Sequence, residues 1–238
     1  MRINSNLLTT LSTHYHAIPK MVLIVFIIGI LIRLIFAPIT AGIYDTTFWA
    51  STLDGVNVGK TIYESTYMHY PPVWGYILSF LSLPLNALGI APLQSAFMDA
   101  GTGGIIIENL MVTTIGFNFI YKIPIIIADV LTAIVIFFLV KRLTNDEKKA
   151  SLCFALWFLC PLALFNGVFK GQFDSIMILM VALSLLMLFK KEYFFAGIFL
   201  ALGVYTKVFP LLIVPIMIGY ILSESTDRKQ KFHPISHY

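Results

Sequence analysis

The sequence predicts an all-α fold: a polytopic membrane helix bundle of about six spans, with juxtamembrane helices lying on its outer side. Three observations carry that prediction. The chain of 238 residues is 58% apolar and 12% charged, with a mean hydropathy of +0.87. That is more apolar surface than a soluble domain of this length buries within itself. Its apolar residues come in separated runs of the length a bilayer core demands of a helix. Its Lys and Arg residues sit in short clusters between those runs, as expected where cytoplasmic loops carry excess positive charge. The net charge of +4 is small, and nucleic acid is not implied as a partner.

The elements follow in order. Residues 1–20 form a cytoplasmic tail in which His14 and His16 read as solvated side chains rather than metal ligands. MVLIVFIIGILIRLIFAPI (21–39) is the first span, and with no small-residue cleavage site after it the run is expected to stay uncleaved. Lys20 and Arg2 place its start inside. AGIYDTTFWA (41–50) then emerges outside, with Asp45 at the membrane surface.

Residues 41–121 form a long outer loop. Within it, PPVWGYILSFLSLPLNALGI (71–90) is apolar enough to cross but is interrupted by Gly75 and Pro84. A return crossing by GIIIENLMVTTIGFNF (104–119) would carry Glu108 and Asn109 into hydrocarbon. Helices along the outer surface are therefore favoured, with two crossings as the alternative. LQSAFMDAGTGG (93–104) reads as a flexible loop.

IPIIIADVLTAIVIFFLV (123–140) runs inward to the charged segment KRLTNDEKK. SLCFALWFLCPLALFNGVF (151–169) returns outward to KGQFDS, and SIMILMVALSLLMLF (175–189) descends to Lys190 and Lys191. YFFAGIFLALGVY (193–205) rises to Lys207, and LLIVPIMIGYIL (211–222) descends to a cytoplasmic tail, 223–238. These last two are short and expected to be tilted or broken at Pro210. Together, 1–238 reads as a single integral membrane domain. Cys153 and Cys160 lie too far apart on a helix for a disulfide and read as small core residues.

Polar groups converge on the outer side. Asp45 suits a general base, the alternative being a solvated helix-end acid. Lys207, alone at a helix end among apolar residues, suits a lipid phosphate, against snorkelling toward headgroups. Lys170 offers the same chemistry. Gln172 and Asp174 can bond sugar hydroxyls, and Asp174 can also cap the following helix. His69 and Tyr70 precede Pro71, which fixes a corner suited to shaping an acceptor groove. Trp49, Tyr63, Tyr67, Tyr70 and Trp74 read as an interfacial aromatic belt rather than sugar-stacking platforms. Gly101, Gly103 and Gly104 are a loop. No Walker, zinc-protease or dinucleotide pattern occurs, so a soluble nucleotide sugar is not the expected donor.

Two charges fall inside spans. Counted along the helices, Arg33 and Asp129 both lie about 10 Å below the outer face, which suits an ion pair between them; snorkelling of Arg33 to the outer headgroups is the equal alternative.

The ordered set YDTTFWASTLDG, NVGKTIYES, YPP at 70–72, YKIPIIIADVL, CPLALFNGVFKGQFDS and GVYTKVFP resembles GT-C type glycosyltransferases that use polyprenol-phosphate sugars. In particular it is similar to the mannosyltransferase-like branch that includes the first mannosyltransferase of GPI-anchor assembly. The resemblance spans roughly residues 20–220. It implies transfer of a sugar, a mannose-like hexose being favoured, from a polyprenyl-phosphate carrier to a glycan or lipid acceptor on the outer or lumenal face. Asp45 takes the position of that branch's catalytic acid. Where the branch has an Asp-x-Asp pair, Thr46 and Thr47 follow here. No metal ligand is assigned, and a divalent cation is left open as the one cofactor. The implied location is a multi-pass membrane protein of the plasma membrane in a prokaryote or of the endoplasmic reticulum in a eukaryote, in contact with membrane lipid.

Enzymes of this kind are expected to continue through several further spans beyond RKQKFHPISHY. A shortened, non-catalytic membrane subunit acting with a partner membrane subunit is the alternative reading. A small transporter ranks last, because no inverted repeat is visible and the polar residues gather at one face rather than at the midplane.

Overall fold

A run of large apolar residues makes helix α1 (Lys20–Ile39), with Pro38 accommodated in its last turn. The computed structural model that shows it describes residues 19–42, 45–64, 68–99 and 106–232. Val25, Gly29, Arg33 and Ala37, four residues apart, form the buried stripe of α1. Ile24, Ile27, Leu31 and Ile35 point away from the protein. Such an outward apolar face suits lipid.

Helix α2 (Asp45–Asn57), a 3₁₀ turn (Ile62–Glu64) and helix α3 (Pro72–Ala87) follow, α3 starting on Pro72 after extended Pro71. The next segment departs from the sequence expectation. Leu93–Asp99 and Ile106–Thr113 are strands β1 and β2 of an antiparallel hairpin, Leu93 facing Thr113. Thus, within the stretch 93–104 read as a loop, Leu93–Asp99 is strand, and within 104–119, read as a surface helix, Ile106–Thr113 is strand; residues 100–105 lie outside the described residues. The β-branched residues of IIIENLMVT favour extended backbone. Thr114 then caps helix α4 by accepting the Phe117 N–H at 3.2 Å, which fixes where strand gives way to helix. Apart from this hairpin, the described elements are helical.

Helix α4 (Ile115–Thr144) has 30 residues and is thus about 45 Å long, exceeding both the expected 123–140 and a ~30 Å bilayer core. It ends on Asn145 in the left-handed region, φ 52°, with Lys141 and Arg142 in its last turn facing the negative end of the helix dipole. Asp146 caps α5 (Glu147–Phe158), accepting from the amides of Lys148 and Lys149 at 2.9 and 3.1 Å. These bonds, that from Lys149 foremost, hold the Asp146 carboxyl below its ordinary range.

From α5 the chain continues through a short helix α6 (Pro161–Leu164) and a π turn (Phe165–Phe169), so that Glu147–Phe169 forms one 23-residue apolar passage. With α1 and α4 it makes three helices long and apolar enough to cross a membrane. Shorter apolar helices α7 (Asp174–Phe189) and α8 (Tyr193–Thr206) lead to a 3₁₀ turn (Phe209–Ile213) and α9 (Val214–Phe232). The break falls where Pro210 predicts it.

Helix α4 is the axis on which α1, α5 and α7 pack. On one side Trp49, Trp74, Tyr121, Phe173 and Leu179 form the larger core. On the other, Val25, Ala133, Phe154 and Phe158 form a second. Between α1, α4 and α5 sits Arg33, fully buried. Its Nε and Nη2 donate to Asp129 Oδ2 at 3.2 and 3.1 Å, and Nη1 donates to the carbonyls of Gly29 and Phe158. The guanidinium also lies 4.1 Å from the Phe158 ring centre. Arg33 therefore turns inward and does not snorkel.

Cys153 and Cys160 are free and half-buried.

Candidate active site at one end of the bundle

Asp45 is the first residue of α2, where a carboxylate meets the positive end of the helix dipole. Its Oδ2 accepts from Gln172 Nε2 at 2.8 Å. The next residue, Thr46, is a buried junction. Its Oγ1 accepts the Gly42 N–H at 2.8 Å, lies 2.9 Å from the Tyr121 hydroxyl and donates to the Lys170 carbonyl at 3.3 Å. Three segments distant in sequence are tied at this one hydroxyl.

Two glycines allow that closeness. A Cβ on Gly42 would sit 2.4 Å from the Lys170 carbonyl oxygen. Gly171, at φ +71°, adopts the left-handed backbone and leaves room for the Tyr121 hydroxyl, which a Cβ would strike. The π turn contributes as well. Its wide carbonyl spacing lets the amides of Lys170, Gly171 and Gln172 bond back to Phe165, Gly167 and Asn166 at 2.9, 3.1 and 2.8 Å, curling the chain so that Gln172 reaches Asp45.

The result is a cavity of about 590 Å³ lined by Ile39, Thr40, Ala41, Gly42, Asp45, Phe165, Phe169 and Lys170. One wall is polar and one apolar. The Lys170 ammonium lies 5.1 Å from the Phe165 ring centre and has no ion pair or hydrogen bond among the described residues. A smaller cavity of about 140 Å³ lies on the other side of Gln172, lined in part by Cys160, Asn166, Gln172, Asp174 and Ser175.

Lys207 differs from its sequence reading. It is not alone: it forms an ion pair with Asp174, over the rings of Phe173 and Tyr70 at 5.0 and 5.6 Å. Asp174 accordingly faces Lys207 and makes no cap bond to the first amides of α7. Among the described residues that line these cavities, Lys170 is the cation without an ion pair. Tyr70 packs edge-on against Phe173 at 5.0 Å, and its carbonyl accepts from the Tyr63 hydroxyl at 3.4 Å. His69 is exposed and lines neither cavity.

The aromatic belt is also revised. Trp49 and Trp74 are 2% and 0% exposed. Both pack on Phe173, Trp74 stacked on it at 4.8 Å, so they hold the loop structure together. Tyr67, His14, His16 and the glycines at 101, 103 and 104 lie outside the described residues.

Sequence reasoning missed Thr46, Tyr121 and Lys122. Lys122 is fully buried and donates to the Ala37 carbonyl at 3.0 Å, the Thr40 hydroxyl at 3.1 Å and the Thr40 carbonyl, closing the end of α1. The available signal was YKIP, a Tyr-Lys pair inside an apolar helix. For a divalent cation the donor set is poor. Asp45 is the single carboxylate of its cavity, one of its oxygens already accepts from Gln172, and no group of three His, Cys, Asp or Glu occurs among the described residues.

Residues 110–221 match the family model of Glycosyltransferase family 87. The matched segment runs from β2 to α9, and so contains Tyr121, Asp129, Lys170, Gln172, Asp174 and Lys207. Asp45 precedes it. GPI mannosyltransferase 1 of Candida albicans is 28% identical over 107 residues, which is 44% of this chain and 27% of that protein. The chain thus covers about a quarter of the length of that relative. No solved structure matches. With its several apolar helices, the chain is a multi-pass membrane protein.

Proposed function

We propose that the chain transfers a sugar, a mannose-like hexose, from a polyprenyl-phosphate carrier to a glycan or lipid acceptor at the membrane face that carries Asp45. The observation that supports this reading is the shared cavity of Asp45 and Lys170, with Ile39, Phe165 and Phe169 as its apolar side. An acid and a free cation beside an apolar wall match a donor that is half phosphate and half isoprenoid. The likeness to a mannosyltransferase favours the hexose.

The acceptor hydroxyl oxygen attacks the anomeric carbon, and the bond from that carbon to the phosphate oxygen breaks. The electron pair leaves with the polyprenyl phosphate. Asp45 takes the hydroxyl proton, a role for which its carboxylate is held in place by Gln172. Lys170 offsets the negative charge that grows on the departing phosphate. Lys207, its charge shared with Asp174, orders the adjoining wall through Tyr70 and Phe173.

The test is incubation of the purified membrane protein with radiolabelled polyprenyl-phosphate sugars and a lipid-extract acceptor. A labelled product that disappears in Asp45→Asn is the expected result. Donor binding without any product, by the wild-type chain, would point instead to a non-catalytic module that works with a partner membrane subunit.

A further inference from the structure

The opposite end of α4 carries a second charged recess. Lys122 and Lys141 are separated by 19 residues of one helix, so this end lies about 28 Å from the candidate active site. Here Phe138, Lys141, Arg142, Asn145, Leu186 and Lys190 line a cleft of about 570 Å³ between the ends of α4 and α7. Three of its six lining residues are cations, and none is acidic.

Their partners leave charge to spare. Lys141 pairs with Glu147 at 2.7 Å. Arg142 uses Nε and Nη2 on the Phe189 carbonyl, at 3.3 and 3.1 Å, leaving Nη1 unused. The Lys190 ammonium has no ion pair or hydrogen bond among the described residues. Beside them Phe138, 56% exposed on an apolar passage, continues the cleft toward the lipid side. A soluble anion would use the cations and have no use for that ring. An anionic phospholipid uses both, its phosphate on Arg142 and Lys190 and its acyl chain along Phe138.

We propose that this cleft binds the phosphate headgroup of an anionic phospholipid. The inference stands apart from the transfer reaction and needs none of its residues.

The experiment follows thermal unfolding of the full chain in a neutral detergent while phosphatidylglycerol, phosphatidylcholine or inorganic phosphate is added. Saturable stabilisation by phosphatidylglycerol alone is expected. Lys190→Glu should weaken its apparent affinity at least about tenfold, and Lys190→Gln by a smaller factor, while Lys148→Glu, exposed in the same basic segment but outside the cleft, changes it little. Equal effects of the two phospholipids overturn the proposal. So does inorganic phosphate that matches phosphatidylglycerol, or an equal loss in the Lys190 and Lys148 variants, which would indicate diffuse surface charge. Should Lys190→Glu fail to fold, the Lys190→Gln variant carries the same comparison.

Discussion

Arg33 and Asp129 stand 96 residues apart in the chain, yet their side chains meet at 3.1 Å with both 0% exposed. Removing one partner leaves the other charged and enclosed, at a cost of about 3–5 kcal/mol, whereas removing both leaves no buried charge, only the Gly29 and Phe158 carbonyls without the Arg33 donor. Arg33→Leu and Asp129→Leu should each sharply lower the yield and melting temperature of the purified protein, and the double substitution should recover much of both. A double variant as poor as the sum of the singles would mean that the pair contributes nothing jointly.

Asp45 and Gln172 should separate chemistry from positioning. Asp45→Asn keeps the size of the side chain and should lower transfer by about 10²–10⁴-fold with normal expression. Gln172→Ala keeps the base but frees it, and should lower the rate by about tenfold with less effect on the apparent affinity for donor. Full activity in Asp45→Asn would remove the residue from the reaction.

The Thr46 junction makes a stability prediction. Tyr121→Phe deletes one hydroxyl from a buried bond, so a loss of about 1 kcal/mol is expected. Gly171→Ala should cost more, because it strains a backbone at φ +71° and drives a methyl group into Tyr121. Melting curves of the two variants test the order; an undisturbed Gly171→Ala protein would contradict the close approach.

Lys207 and Asp174 are predicted to act as a unit. Lys207→Gln should weaken use of the lipid-phosphate donor more than use of the acceptor, and Asp174→Asn should weaken both less. A double-mutant cycle on donor KM checks this, since an independent pair would give simple addition.

Surface labelling tests the two ends of the bundle. A cysteine at His69, which is exposed, should react with an impermeant thiol reagent from the Asp45 side, and a cysteine at Asn145 only after permeabilisation. Reaction of both in intact cells would overturn the assignment of sides.

How much of this was legible in the sequence differs by element. The long apolar runs around Ile24, Ile134 and Leu156 declared their helices, because hydrocarbon leaves the backbone few alternatives. The depth count that paired Arg33 with Asp129 needed only helical rise. The hairpin was not legible, since strands of seven and eight residues give a weak periodic signal beside longer apolar runs. In the site, Asp45, Lys170 and Gln172 stood out as polar residues at run ends. Thr46 and Tyr121 did not, because a threonine and a tyrosine become a junction only once three distant segments meet. Lys207 was misread as solitary for the same reason: its partner lies 33 residues away.

Both groups that complete α1 come from α4. Asp129 neutralises its only internal charge, and Lys122 occupies the carbonyls at its end. During synthesis, then, the first span enters the bilayer unfinished and stays so until roughly ninety more residues have left the ribosome. An insertion machinery that releases α1 early would leave a lone guanidinium among lipids. The order of manufacture therefore asks for α1 to be retained, or tethered at the membrane edge, until α4 arrives, and substitutions at Lys122 or Asp129 should be felt first as degradation of newly made chains.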